Sequence, residues 1–139
     1  MIATLGACDD PLRPRDVAGT YVLRSVRGDP LPAVARETNQ SQLRVLADSL
    51  YLNRDGTGRE VWVLESTGPY ASGPERSERS LTFQTRGGRL EGTYPCGPLE
   101  ICVGVIALRG DVTPSGLRLD VNAHASGPLV FERVHRWGQ

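Results

Sequence analysis

From Leu117 to His124 the chain alternates residue by residue between two characters. Leu117, Leu119, Val121 and Ala123 share one parity, and Arg118, Asp120, Asn122 and His124 share the other. That is the period of an antiparallel strand with one face on a core and one in water. It predicts that the four polar residues face solvent. Such a strand cannot stand alone, because both its apolar face and its edges need partners.

The rest of the chain offers those partners. Residues 20–26, 43–53 (bent at Asp48), 58–65, 79–85, 89–94, 101–108 and 129–134 are short β-rich runs divided by turn signals. Gly28-Asp29-Pro30, Arg54-Asp55-Gly56, Arg86-Gly87-Gly88, Gly110-Asp111 and Gly127-Pro128 are the punctuation, and residues 66–78 read as a polar loop. Helical periodicity is almost absent, and 16 Gly and 10 Pro against one Met speak against a helical bundle. At 139 residues the chain suits one domain. The expected fold is all-β: an antiparallel up-and-down eight-stranded barrel over residues 17–137, closed because closure removes exposed edges. A β-sandwich is the alternative.

Near the start, Leu5-Gly6-Ala7-Cys8 resembles the lipobox of bacterial lipoproteins. The resemblance implies that residues 1–8 are a signal-peptide remnant and that Cys8 is the lipidated residue. Ile2, Ala3 and Leu5 would then end the apolar region of the signal. The alternative is a free thiol. Residues 9–16, with Asp9, Asp10, Pro11 and Pro14, read as an extended tether between membrane and domain. An envelope address permits disulfides, and Cys96 and Cys102 flank a short Gly-Pro segment that would let them pair. Zinc is the rival for those two cysteines, but no second Cys pair or His pair lies near them.

Other motifs reduce to turns and solvated faces. Basic and acidic residues balance at 16 each, so the electrostatic footprint of a nucleic-acid binder is missing. All the basic residues are Arg, which fits a GC-rich genome better than an Arg-specific function. Asn53-x-Asp55-Gly56 begins like a calcium loop, yet the spacing would put Tyr51 and Trp62 at ligand positions, so it reads as a hairpin turn. Asp120, Asn122 and His124 share a parity and could hold a metal, although polar residues opposite an apolar face need no such role. Arg27-Gly28-Asp29 and Arg109-Gly110-Asp111 fall at expected strand ends, and Asn39-Gln40-Ser41 is a glycosylation sequon of little meaning in a bacterial lipoprotein. Neither His124 nor His135 sits in a nucleophile motif, and no phosphate loop is present, so no catalytic residue, metal or cofactor is expected. A carboxylate pair assembled by folding would leave no trace at this level.

Three stretches carry a wider resemblance. Ala18-Gly19-Thr20-Tyr21-Val22-Leu23 with Gly28-Asp29-Pro30-Leu31-Pro32, then Leu50-Tyr51-Leu52-Asn53-Arg54-Asp55-Gly56-Thr57, then Phe131-Glu132-Arg133, look like the first strand, second hairpin and closing strand of lipocalin-like bacterial lipoproteins. The resemblance implies an eight-stranded calyx, though the long C-terminal helix of larger lipocalins is missing. The expected function is a lipid-anchored, non-enzymatic envelope barrel that binds a small apolar ligand. Tyr21, Leu23, Trp62, Phe83, Tyr94 and Phe131 are the candidate lining, and Leu31 and Val34 are expected to fold over one barrel end as a lid. Simple core packing is the competing role for each lining residue. The competing function is a protein-binding barrel, such as a periplasmic protease inhibitor or an assembly accessory, that works through its loops.

Overall fold

The computed structural model describes residues 13–69, 71, 73–95, 106–122 and 125–136. Cys8, Cys96 and Cys102 lie outside the described residues, as does His124. The elements are α1 (Pro14–Val17), β1 (Gly19–Val26), β2 (Asp29–Pro30), β3 (Ala33–Glu37), β4 (Gln42–Leu52), β5 (Thr57–Thr67), β6 (Glu75–Arg86), β7 (Arg89–Thr93), β8 (Ile106–Thr113), β9 (Gly116–Asn122) and β10 (Ser126–Arg136). From β4 to β10 each strand pairs with its sequence neighbour, β10 returns to β1, and β1 pairs with β4. The result is a closed eight-stranded antiparallel barrel with β2 and β3 as additional strands. One sheet closes on itself, so the sandwich alternative is set aside.

The seam between β1 and β4 is short. Gly19–Val22 pair with residues 49–52, and beyond Val22 the two strands part. The chain between them fills the gap: β2 pairs with β1 at Ser25 and Val26, and β3 pairs with the start of β4. Arg27 stitches this region together at a left-handed φ of 49°. Its guanidinium donates to the carbonyls of Val34 (2.6 Å), Ala35 (3.4 Å) and Ser126 (2.9 Å). Such a backbone conformation is unfavourable for a residue with a Cβ, and these bonds hold it.

In an up-and-down barrel the connections alternate between the two ends. The lower end carries α1 and the tight turns at Asn53–Gly56, Gly87–Gly88 and Pro114–Ser115, whereas the upper end carries the longer connections. The lower end is sealed. Val17 is completely buried beneath α1, and the Tyr21 hydroxyl donates to the Val17 carbonyl at 2.6 Å. Arg133 of β10 donates from Nε to that hydroxyl at 2.8 Å and from Nη2 to the Asp16 carbonyl at 3.1 Å. Its guanidinium also lies 5.1 Å from the Tyr21 ring centroid. Above this seal Leu23, Leu50, Leu52, Leu108, Leu117, Leu119, Leu129 and Phe131 form a dry core.

Three boundaries differ from the sequence expectation. The end of the expected tether, Pro14 to Asp16, is a helical turn with Val17; Pro14 suits its first position, and Asp16 caps it by accepting from the Arg13 N–H at 2.9 Å. Strand β6 begins at Glu75, inside the expected polar loop. Residues 75–80 are exposed on both faces, so no alternation marks them. Strand β8 runs through Gly110-Asp111 rather than stopping there. A Cβ at Gly110 would sit 2.2 Å from the Arg118 carbonyl oxygen, so this glycine permits a close strand approach and not a turn.

Candidate functional site

Among the described residues the buried polar and charged ones are Asp48, Glu60 and Asn122. Each is turned inward for a local reason. On β4 a register shift between Val45 and Ala47 changes the parity, so that Val45 and then Asp48, Leu50 and Leu52 face the lumen. On β5, Glu60 shares the inward face with Gly58, Trp62 and Leu64, opposite Leu50 of β4. On β9 a second shift against β8, after Leu119, takes Asp120 out of the alternation. Asn122 is thereby buried, and the expected solvent face of Arg118, Asp120 and Asn122 is broken. Asp120 is exposed and paired with Arg89 at 3.1 Å, whereas the Asn122 amide points into the barrel toward Glu60.

These groups meet across the lumen. In the ring of eight strands β5 and β9 stand opposite, with three strands between them on either side. Even so, Asn122 Nδ2 donates to Glu60 Oε2 at 2.9 Å, and the Tyr94 hydroxyl, just past β7, donates to Glu60 Oε1 at 3.1 Å. Glu60 is therefore the centre of a polar crossbar from wall to wall. Asp48 joins it from β4, on the inward face two residues from Leu50, the cross-strand partner of Glu60, so that the two buried carboxyl groups are neighbours on the lumen wall. Two carboxyl groups can bond to each other only if one keeps a proton.

The electrostatics agree with a shared proton. Burial lifts the Asp48 carboxyl from 3.8 to about 7, and its bond to Glu60 opposes that rise in part. Burial, followed by the nearby negative charge of Glu60, raises the Tyr94 hydroxyl well above its usual range. The guanidinium of Arg79, on the inward parity of β6, sits 4.6 Å from the Tyr94 ring centroid. Asn122 Oδ1 is buried and finds no hydrogen-bond partner among the described residues.

The expected lining residues divide into two groups. Tyr21, Leu23, Phe83 and Phe131 are buried in the core and fill the lumen. Tyr94 and Leu31 are half-buried against that core, and Trp62 is half-buried on β5 opposite Asp48. These three lie toward the upper end. The structure separates Leu31 from Val34. Residues 33–37 are a strand, Ala33 and Ala35 face the core, and Val34 lies on the other parity beside Arg44. Val34 is thus part of the wall, held by main-chain pairing, and not of a lid.

Beside the crossbar a crevice of about 240 Å³ opens between β3 and the β9–β10 end, lined by Ala35, Arg36, Asp120, Val121, Asn122, Ala125 and Ser126. Asn122 thus touches both the crevice and Glu60. Among the described residues no group of three or more His, Cys, Asp or Glu side chains is placed to hold a metal. With Asp48 and Glu60 at 1% and 0% exposure, a bulky substrate cannot reach the pair. What the arrangement can do is hold a proton and order the walls around it. Comparison with family models, with curated proteins and with solved structures finds no match to the chain, so the functional reading rests on the barrel's own geometry.

Proposed function

We propose that this is a non-catalytic binding barrel of the bacterial cell envelope, lipid-anchored through Cys8, which takes a small, largely apolar ligand at its upper end. The observation behind this reading is the contrast between the two ends. The lower one is sealed by α1, Tyr21 and Arg133, while toward the upper one Trp62, Leu64, Tyr94 and Leu31 stay half-buried, and a separate crevice lined by Ala35, Val121, Asn122 and Ala125 opens between β3 and the β9–β10 end. Half-buried apolar groups gathered at one end of a barrel are what a small ligand covers. The lipocalin-like reading gains support from the lower end. Tyr21 of the Gly-x-aromatic strand and Arg133 of the closing strand, two of the residues that carried the resemblance, meet there. The deep lumen is filled by side chains, so the site belongs at the mouth.

Titration with the neutral dye N-phenyl-naphthylamine tests the proposal. Saturable fluorescence enhancement is expected, weakened about tenfold by Trp62→Ala, a loss of roughly 1.4 kcal/mol. Val134→Ala on the outer wall should leave it unchanged. Absence of saturable enhancement overturns the reading. A protein-binding role has one observation in its favour: residues 75–80 of β6 are exposed, and β6 pairs with β7 only from Thr82 onward. A partner strand added there would protect those amides from hydrogen exchange, which a small ligand would not.

A further inference from the structure

Asp48 lies beside the shortest seam of the barrel, the one between β1 and β4. Asp48 is the first β4 residue above the β1–β4 seam, which ends at the pair Val22 and Ser49. Above that pair β4 is joined not to β1 but to β3, and Arg27 ties β3 to its surroundings through side-chain bonds. Because β4 stays laddered to β5 through Asp48 and Leu50, the part of β4 above the seam can swing outward together with β3 and β5, away from β1, without breaking a barrel ladder. Resting on the binding reading above, we propose that the Asp48–Glu60 pair is a proton-held gate at the upper end. While the pair shares one proton the walls stay drawn in around it; when that proton leaves, the upper end parts and admits water and ligand.

The driving force is the desolvation of charge. Two carboxylates side by side in a dry lumen repel each other and lack hydration, and the nearest relief is to let water in. The groups facing the pair do not remove that penalty. From β9 comes the neutral amide of Asn122, and from beyond β7 the un-ionised hydroxyl of Tyr94. From β6 comes the exposed, solvent-screened guanidinium of Arg79, and from β5 the indole of Trp62. Among the described residues β1, β8 and β10 present apolar side chains there, such as Leu23, Leu108 and Leu129, and β3 presents Ala33 and Ala35. Burial keeps the Asp48 proton in place up to about pH 7, which sets the gate in the neutral range.

The experiment is the same dye titration carried out as a function of pH. Because opening exposes Asp48 to water and restores an ordinary carboxylate, dye affinity should rise about tenfold per pH unit from roughly pH 5 to pH 7, then level off. In Asp48→Asn the rise should vanish. Affinity that is independent of pH overturns the gate and leaves the binding reading standing; no binding at any pH overturns both. Carboxyl carbon-13 titration of the unmodified protein tests the gate without a variant, should Asp48→Asn fail to fold. One carboxyl of the pair must titrate near neutrality, and two ordinary titrations near 4 overturn the proposal.

Discussion

Asn122 donates to a carboxylate that belongs to the opposite wall, and few single residues here join so much structure. A hydrogen bond to a charged, buried group contributes roughly 1.5–3 kcal/mol. Asn122→Ala should therefore lower the unfolding free energy by about that amount in urea titrations. Asp120→Ala, two residues away, removes only an exposed ion pair with Arg89 and should cost under about 1 kcal/mol. Equal costs for the two would remove the crossbar as a source of stability. The sequence pattern points the other way, since strict alternation assigns Asn122 to solvent. A bulge has no compositional signature at this position, and one dropped residue inverts every parity after it. On β4, by contrast, the bend suspected at Asp48 does lie close to a real register shift. Glu60 was hidden for a different reason. Strand β5 mixes Gly58, Glu60, Trp62 and Leu64 on one face with Arg59, Val61, Val63 and Glu65 on the other, so hydrophobicity does not reveal which face is inside.

Short elements govern the lower end. A four-residue helix has little stability of its own, and α1 persists because Tyr21 and Arg133 hold its carbonyls. Tyr21→Phe keeps the ring in the core but removes the hydroxyl that bonds Val17 and Arg133. Its expected cost is about 1–3 kcal/mol, because a buried carbonyl and a guanidinium each lose a partner. Amide exchange should accelerate first in residues 16–18, and a variant with unchanged exchange there would show that α1 is held by packing alone. Sequence reading found the strands that alternate and misplaced the ends of those that do not. Strand β6 starts early because solvent surrounds its first half, and β8 continues through Gly110 because a glycine can mark a close approach as well as a turn. Apolar Leu31 and Val34 need cover, and the structure gives them different places: Leu31 packs half-buried against the core before β3 begins, and Val34 is part of it. Strand β3 itself fills the gap beside the seam.

At the scale of the whole molecule, the barrel follows from many short strands and a need to hide edges, and it was legible for that reason. The buried acids add a pH dependence that composition does not show. Folding raises the Asp48 value from 3.8 to about 7, so the folded chain holds that proton more tightly than the unfolded one. The stability it contributes is fully present below about pH 4, falls as pH rises toward 7, and is lost above that. The total should be about 4 kcal/mol. Urea midpoints measured from pH 4 to pH 8 should show this decline, and Asp48→Asn should flatten it. A midpoint that climbs over the same range would contradict the shared proton.

The pairing of β1 with β10 also has a consequence in time. Gly19 pairs with Arg136 and Tyr21 with Arg133, so the first strand of the barrel finds its partner in the last. Contacts between residues so far apart in the chain require almost the whole polypeptide to be ordered before they return any energy, which places folding in the slow range of roughly milliseconds to seconds. A chain emerging end-first from a ribosome or a membrane channel has to hold Tyr21 and Leu23 uncovered until Phe131 arrives. The closure that joins the first strand to the last thus leaves one side of the earliest strand waiting longest, and any companion that shields the nascent chain would have most to do at that strand.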